Sequence, residues 1–391
     1  MPRLPSHLNY FLASFAWNYG LGMTWLAVPL YAHERGLSGA QIGLLFSLPV
    51  VFQIAVNLVG GAYVDRLGGR RIMLASSLVF AVGAAALYAA DSFWTLFAGQ
   101  LVLVISRATF WPANWSLASE LPGDRSVQAG RLNAITGFGQ ILGNGSCGFV
   151  LATAGFGASF VVMGAMGLAA WALGLGTPHT PRKDTGGRSL FANYRALLGM
   201  RILYYAVMCA YLSALPFSLS TSFYPLLLQY LGFGEEASGV LLALRALGGI
   251  GAGLVVAKFV ATGPASPWPV IAGLSVALAV GLMPLVTHWA AIGAFLLAVG
   301  VGSSLMTIYF QVTMAAAVPA GMRGSAMALG GMGWGISHFT TPLIMGLLAD
   351  RFGIVSGFYV LGAMALATVV VLAFLRRWAF ARTTLEKCVA T

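Results

Sequence analysis

The stretch GFGASFVVMGAMGLA at residues 155–169 returns as GIVSGFYVLGAMALA at residues 353–367, an offset of 198 with eight of fifteen positions identical. A second echo pairs PLYAHERGLSGAQIGLLFSL at 29–48 with PLLLQYLGFGEEASGVLLAL at 225–244 and keeps the proline, its leucine and two glycines. Two matches at similar offsets mark a duplicated unit of about half the chain. Outward from these copies the sequence stays apolar: 59% of residues are hydrophobic, 8% are charged and the mean hydropathy is +0.86, a profile that excludes a soluble globular domain. Stretches of about 20 apolar residues, long enough to cross a bilayer as helices, recur throughout. Twelve are expected, at 8–32, 41–62, 71–90, 93–117, 132–154, 157–176, 202–228, 237–258, 268–286, 289–315, 325–348 and 354–375. The longest polar run, Gly174 to Arg201 with Pro178, Pro181, Arg182, Lys183 and Arg188, separates six from six. The predicted fold is an all-α integral membrane protein: an N-terminal six-helix bundle at 1–176, a cytoplasmic linker at 177–201, and a C-terminal six-helix bundle with a cytoplasmic tail at 202–391. Parallel repeats of this kind are one plan of secondary transporters, with the solute site expected near the midplane between the halves.

Charge placement sets the expected topology. The net charge is +11, yet with the N-terminus inside, seventeen Lys and Arg fall on cytoplasmic segments and only Arg35 and Arg351 outside. That bias follows the positive-inside rule, puts both termini in the cytoplasm, and explains the basic pI without nucleic acid. The first apolar segment is too long for a signal-peptide core, so no cleavage is expected. Cys147, Cys209 and Cys388 carry no metal or redox spacing, and the five histidines form no cluster, so no metal site is predicted. No GxxxxGK[ST] run occurs, and the glycine triplets at 249–253 and 331–335 sit in apolar helices without a preceding strand, so no nucleotide cofactor is expected and an ion gradient is the energy source. An enzyme would need a nucleophile with its base or a metal cluster, and a receptor would add a signalling domain; neither pattern is present.

Between the second and third segments runs GGAYVDRLGGRRIM, residues 60–73. Gly61, Asp65, Arg66, Gly68, Arg70 and Arg71 fall at the positions of a cytoplasmic signature loop, and the chain resembles the major facilitator superfamily (MFS), bacterial twelve-helix type, closest to drug and metabolite exporters. The resemblance implies the MFS fold, location in the bacterial inner membrane, and a gating role for these six residues in locking the cytoplasmic side. The alternative is ordinary topogenic charge on a tight loop. Two departures stand out. The matching loop of the second half, AKFVATGPASPW at 257–268, lacks the acid and the Gly-Arg-Arg cluster, and the fifth-helix glycine motif of antiporters has Asn144 in place of proline and Cys147 in place of glycine.

Only Arg107 and Arg245 sit deep inside apolar segments, with no Asp or Glu beside them. An arginine at mid-membrane costs roughly 3 kcal/mol on insertion scales, so it is expected to face a partner, water or a solute. Arg107, Trp111, Asn114 and Trp115 share one face of the fourth helix, a wall suited to an anionic or amphipathic solute; the bland reading is an arginine stacked on tryptophan within the protein. Arg245 is expected to face the central cavity or to serve a gate. Gln140, Asn18, Tyr309 and Gln311 are further candidate contacts. His338, which lies 198 residues after Gln140, is the mid-helix group able to carry a coupled proton near neutral pH, or else a packing hydrogen bond. These residues predict a monomeric, proton-coupled secondary transporter in the lipid bilayer that moves a small anionic or zwitterionic organic solute by alternating access, with export favoured over import. A polyspecific multidrug exporter with an aromatic cavity is the second reading.

Overall fold

The computed structural model describes residues 5–122, 125–177, 194–253, 266–318 and 322–389, the side chains at 57–66, 125–126, 129, 323–324 and 381–389 excepted. Every described element is helical. In chain order these are α1 Ser6–Glu34, α2 Gly39–Leu67, α3 Gly69–Tyr88, α4 Phe93–Glu120, α5 Arg125–Gly174, α6 Tyr194–Leu198, α7 Arg201–Ser220, α8 Tyr224–Tyr230 and α9 Glu235–Gly251. After them come α10 Trp268–Leu282 with a 3-10 turn at Met283–Leu285, α11 Trp289–Ala317, α12 Arg323–Gly330, α13 Met332–Phe352 and α14 Ile354–Val389.

The twelve expected spans map onto these helices with three instructive differences. The fifth and sixth run on as α5, turning at Gly155 with φ 76° and ψ −176°, a region open only to glycine. The seventh is divided between α7 and α8 by a turn at Thr221–Phe223, where Pro225 opens the new helix without losing a bond its N–H would have made. The eleventh is divided at Gly331, so its interruption falls eleven residues before Pro342, which lies inside continuous α13.

Local chemistry explains the ends. Ser92 and Thr95 form a reciprocal capping box at the start of α4, satisfying backbone donors that a helix N-terminus leaves open. Glu235 and Glu236 occupy the first turn of α9, where negative charge meets the positive helix pole.

The duplication reappears as backbone geometry. Gly155 and Gly353, the first residues of the two matched stretches, both have positive φ (76° and 84°), and so do Gly36 and Gly232 of the second echo (76° and 87°). Each pair makes the same turn in both copies.

The described chain forms two compact units. One comprises Met1–Gly186 with Ser220–Ala246, the other Gly187–Leu219 with Leu247–Thr391. In the first unit, α1 and α5 approach so closely that a Cβ at Gly143 would collide with the Tyr19 carbonyl, one at Gly22 with that of Gln140, and one at Gly139 would stand 2.7 Å from the Phe15 oxygen. α9 docks on α5 in the same way, Gly148 against the Glu235 backbone and Gly239 with its Cβ position 2.9 Å from the Asn144 carbonyl. Close backbone approach at small residues is how membrane helices gain van der Waals contact where lipid offers no hydrophobic driving force. In the second unit Gly333 of α13 meets the Val207 carbonyl of α7.

Candidate functional site

Arg107 lies halfway along α4. Its Nη2 donates to Gln53 Oε1 of α2 at 2.5 Å, while its buried Nε has no hydrogen-bond partner among the described residues. A guanidinium offers five donors, and a neutral amide cannot balance its charge. One turn on, Trp111 meets Trp17 of α1 edge-on (6.3 Å, 86°), while Phe110 stacks flat on the same indole at 3.9 Å. Trp17 is fully buried and donates to Ser106 Oγ, which donates to the Ser76 carbonyl.

The four-residue face of α4 therefore divides. Asn114 is fully buried against α1, its Oδ1 accepting from Ser14 Oγ at 2.8 Å and its carbonyl accepting from Tyr10 OH at 2.8 Å. Trp115 is 40% exposed. Asn18 and Gln140 are brought together directly: Gln140 Nε2 donates to Asn18 Oδ1 at 2.8 Å, and Asn18 Nδ2 donates to the Ser14 carbonyl at 2.8 Å. Asn114, Ser14, Asn18 and Gln140 thus form one polar chain across α4, α1 and α5.

Arg245 of α9 belongs to this same unit. Its guanidinium carbon stands 5.7 Å from the Trp25 ring centroid on α1, and buried Tyr224 of α8 lies within its electrostatic reach. Both mid-helix arginines thus reside in one compact unit, although the sequence halves assign them one each.

In the second unit, His338 of α13 stacks on Trp334 (5.3 Å, 20°) and touches Phe217 of α7 (5.4 Å). Its Nδ1 lies 2.9 Å from the Trp334 carbonyl, which can only accept, so Nδ1 carries a proton. Trp334 Nε1 in turn donates to Ser213 Oγ at 2.9 Å. Tyr309 pairs with Ser266 Oγ at 2.7 Å, two residues before α10, and Gln311 is exposed.

Of the signature-loop residues, the side chains of Asp65 and Arg66 and the surroundings of Gly61 lie outside the described set. Gly68 turns the chain into α3 with φ 84°. Arg70 donates to the carbonyls of Leu175 and, at 3.5 Å, Gly174, satisfying the open end of α5, and Arg71 is exposed.

A family model described as Major Facilitator Superfamily matches residues 8–339. The chain belongs to the Major Facilitator Superfamily. It is accordingly a multi-pass membrane protein of a transporter superfamily. Among relatives, it is 26% identical over 168 residues to the quinolone resistance protein NorA of Staphylococcus aureus, covering 42% of this chain and 43% of NorA. It is also 27% identical over 150 residues to the probable sulfoacetate transporter SauU of Cupriavidus necator, covering 38% of this chain and 35% of SauU. The chain thus matches less than half the length of these relatives. Two solved superfamily structures share the fold. The nucleoside transporter NupG superposes with a TM-score of 0.79 at 14% identity over 95% of this chain and 99% of NupG. A bacterial homolog of the human lysosomal transporter Spinster, inward-facing and unoccupied, gives 0.74 at 18% identity over 96% of this chain and 97% of that one.

Within the superfamily frame, what sequence reading missed was pairing. Ser14 and Tyr10 hold Asn114, and Trp25 covers Arg245. A serine in an apolar helix has no signal of its own; only its position one turn before Asn18 hinted that α1 presents a polar edge.

Proposed function

We propose that this superfamily member exports a small anionic or zwitterionic organic solute in exchange for protons, as a monomer in the bacterial inner membrane, the halves 1–176 and 202–391 alternating its access to the two sides. The observation that carries this reading is Arg107: a mid-helix guanidinium held by a neutral amide, with Nε buried and unbonded among the described residues, is a cationic site that can take a further acceptor. A carboxylate or sulfonate supplies both the charge and the paired acceptors that a guanidinium matches. Arg245, framed by Trp25, adds a second cation in the same unit. The partial similarity to a probable sulfoacetate transporter agrees with an anion. His338, whose neighbours Trp334 and Phe217 are aromatic, is assigned the coupled proton.

The deciding experiment reconstitutes the full chain in proteoliposomes and measures counterflow of small organic anions, zwitterions, cations and neutral solutes, with and without a pH gradient. Anion counterflow is expected to fall about tenfold or more in Arg107→Gln, the worth of one charge-assisted hydrogen bond. Unchanged anion transport in that variant sinks the proposal. His338→Gln is expected to keep counterflow and lose its dependence on the pH gradient. The similarity to NorA favours a second reading, a polyspecific exporter. Under it a quinolone is carried and the small anions are not.

A further inference from the structure

The charge that Arg107 presents is decided by the residue that holds it. α2 packs along α4, and Gln53 Oε1 accepts from Arg107 Nη2 at 2.5 Å. On the α3 side of the same stretch the polar partners are hydroxyls: Ser106 Oγ donates to the Ser76 carbonyl at 2.7 Å, and Thr109 pairs with Ser76 Oγ at 2.8 Å. The acids that α2 and α4 carry are Asp65 and Glu120. They stand twelve residues beyond Gln53 and thirteen beyond Arg107, about 18 and 20 Å of helical rise away. What touches the guanidinium from α2 is therefore an amide.

An amide and a carboxylate at position 53 would hold the arginine equally well and leave different sites. Gln and Glu share length and shape, so a glutamate oxygen would also reach Nη2, but as an ion pair that cancels the guanidinium charge. The glutamine accepts one of the five N–H donors and brings no charge, so the side chain is oriented while its positive charge remains. Arg107 and Trp111 are half-buried and Trp115 is exposed, four and eight residues along one face of α4, whereas Phe110 and Asn114 behind that face are fully buried. A group that reaches this face meets a cation tethered on one side and backed by aromatic surface.

We propose that Gln53 is a positioning residue that sets the charge selectivity of the Arg107 site: by holding the guanidinium through a neutral amide, it makes a net anion the preferred solute over a zwitterion with the same acid group. This rests on the reading of Arg107 as the anchor of the solute, and it narrows that reading to one of its two solute classes. A small zwitterion carries its ammonium a few ångströms from its acid group, so part of the attraction to the guanidinium is offset by like-charge repulsion. With a glutamate at 53 the site would present one charge of each sign, which matches the zwitterion instead.

The test uses the full chain in proteoliposomes and two pairs of probes that differ by a hydroxyl against an ammonium: isethionate with taurine, and glycerate with serine. The parent is expected to exchange the anion of each pair with about tenfold higher apparent affinity, the worth of one charged contact. Gln53→Glu is expected to abolish or reverse that preference while the melting temperature in detergent stays level or rises. Gln53→Met, of nearly the same length without acceptor or charge, is expected to weaken both members of a pair alike and to keep their ratio. Gln229→Glu, which adds the same charge at an exposed position of α8, is the control and leaves the ratio unchanged. An unaltered ratio in Gln53→Glu, or a ratio lost in Gln53→Met, overturns the proposal, as does a parent that favours the zwitterions or carries neither anion. Should Gln53→Glu fail to fold, the ratio in Gln53→Met decides. Loss of anion exchange in Arg107→Gln beside an unaltered ratio in Gln53→Glu overturns this proposal alone, whereas anion exchange that survives Arg107→Gln removes the anchor beneath it too.

Discussion

Asn144 and Asn18 are both fully buried amides on the α1–α5 seam, and they differ in one respect. Asn18 uses both ends, accepting from Gln140 and donating to the Ser14 carbonyl, whereas neither Oδ1 nor Nδ2 of Asn144 has a partner among the described residues. Leaving a buried polar group unsatisfied costs about 1–3 kcal/mol. Asn144→Ala is therefore expected to raise the melting temperature of the detergent-solubilised protein, the relief outweighing the small cavity. Asn18→Ala is expected to lower it, because Gln140 Nε2 loses its acceptor. A scanning-fluorimetry pair decides this, and a fall in both variants would show that packing, not polar satisfaction, governs the seam. Both asparagines were legible as polar groups at depth. Which of them is paired was not, because pairing depends on helix rotation that an apolar sequence with weak periodicity does not encode.

Among elements, the turns are where sequence and structure agree most closely. Gly155 between the two arms of α5 and Gly353 between α13 and α14 sit at (76°, −176°) and (84°, 157°), a region that costs a residue with a Cβ about 1–3 kcal/mol. Gly155→Ala and Gly353→Ala are thus expected to destabilise by similar amounts, and by more than Gly251→Ala, where a Cβ meets nothing within 4 Å and φ is not positive. Thermal unfolding of the three variants tests this; a neutral Gly353→Ala would refute the shared geometry. At the close approaches the cost has another origin. Gly143→Val would drive a branched side chain into the Tyr19 backbone, so about 1–3 kcal/mol or more is expected from overpacking, with loss of folded protein on expression. The helices themselves were legible because bilayer thickness dictates the length of each apolar run. The breaks at Thr221–Phe223 and Gly331 were not, since an apolar segment with a glycine or proline reads the same whether it bends, breaks or continues.

For the whole molecule, the two sequence copies and the two compact units do not coincide. Ser220–Ala246 belongs by sequence to the second copy and by packing to the first unit, where Gly239 and Glu235 of α9 lie against α5. A fragment ending in the linker, residues 1–186, is expected to be protease-sensitive in detergent, because α5 would expose the surface that α9 covers. Co-expression with 187–391 is expected to restore protection, read as intact fragment on a gel after limited trypsin digestion; equal resistance of the lone fragment would refute the assignment. The same threading bears on recombination between relatives. A crossover in the linker would exchange copies but split a unit, giving a chimera whose α9 comes from one parent and the α5 beneath it from the other. Compatible exchange needs two further junctions, at Leu219–Ser220 and Ala246–Leu247, so that inheritance follows the packing and not the duplication.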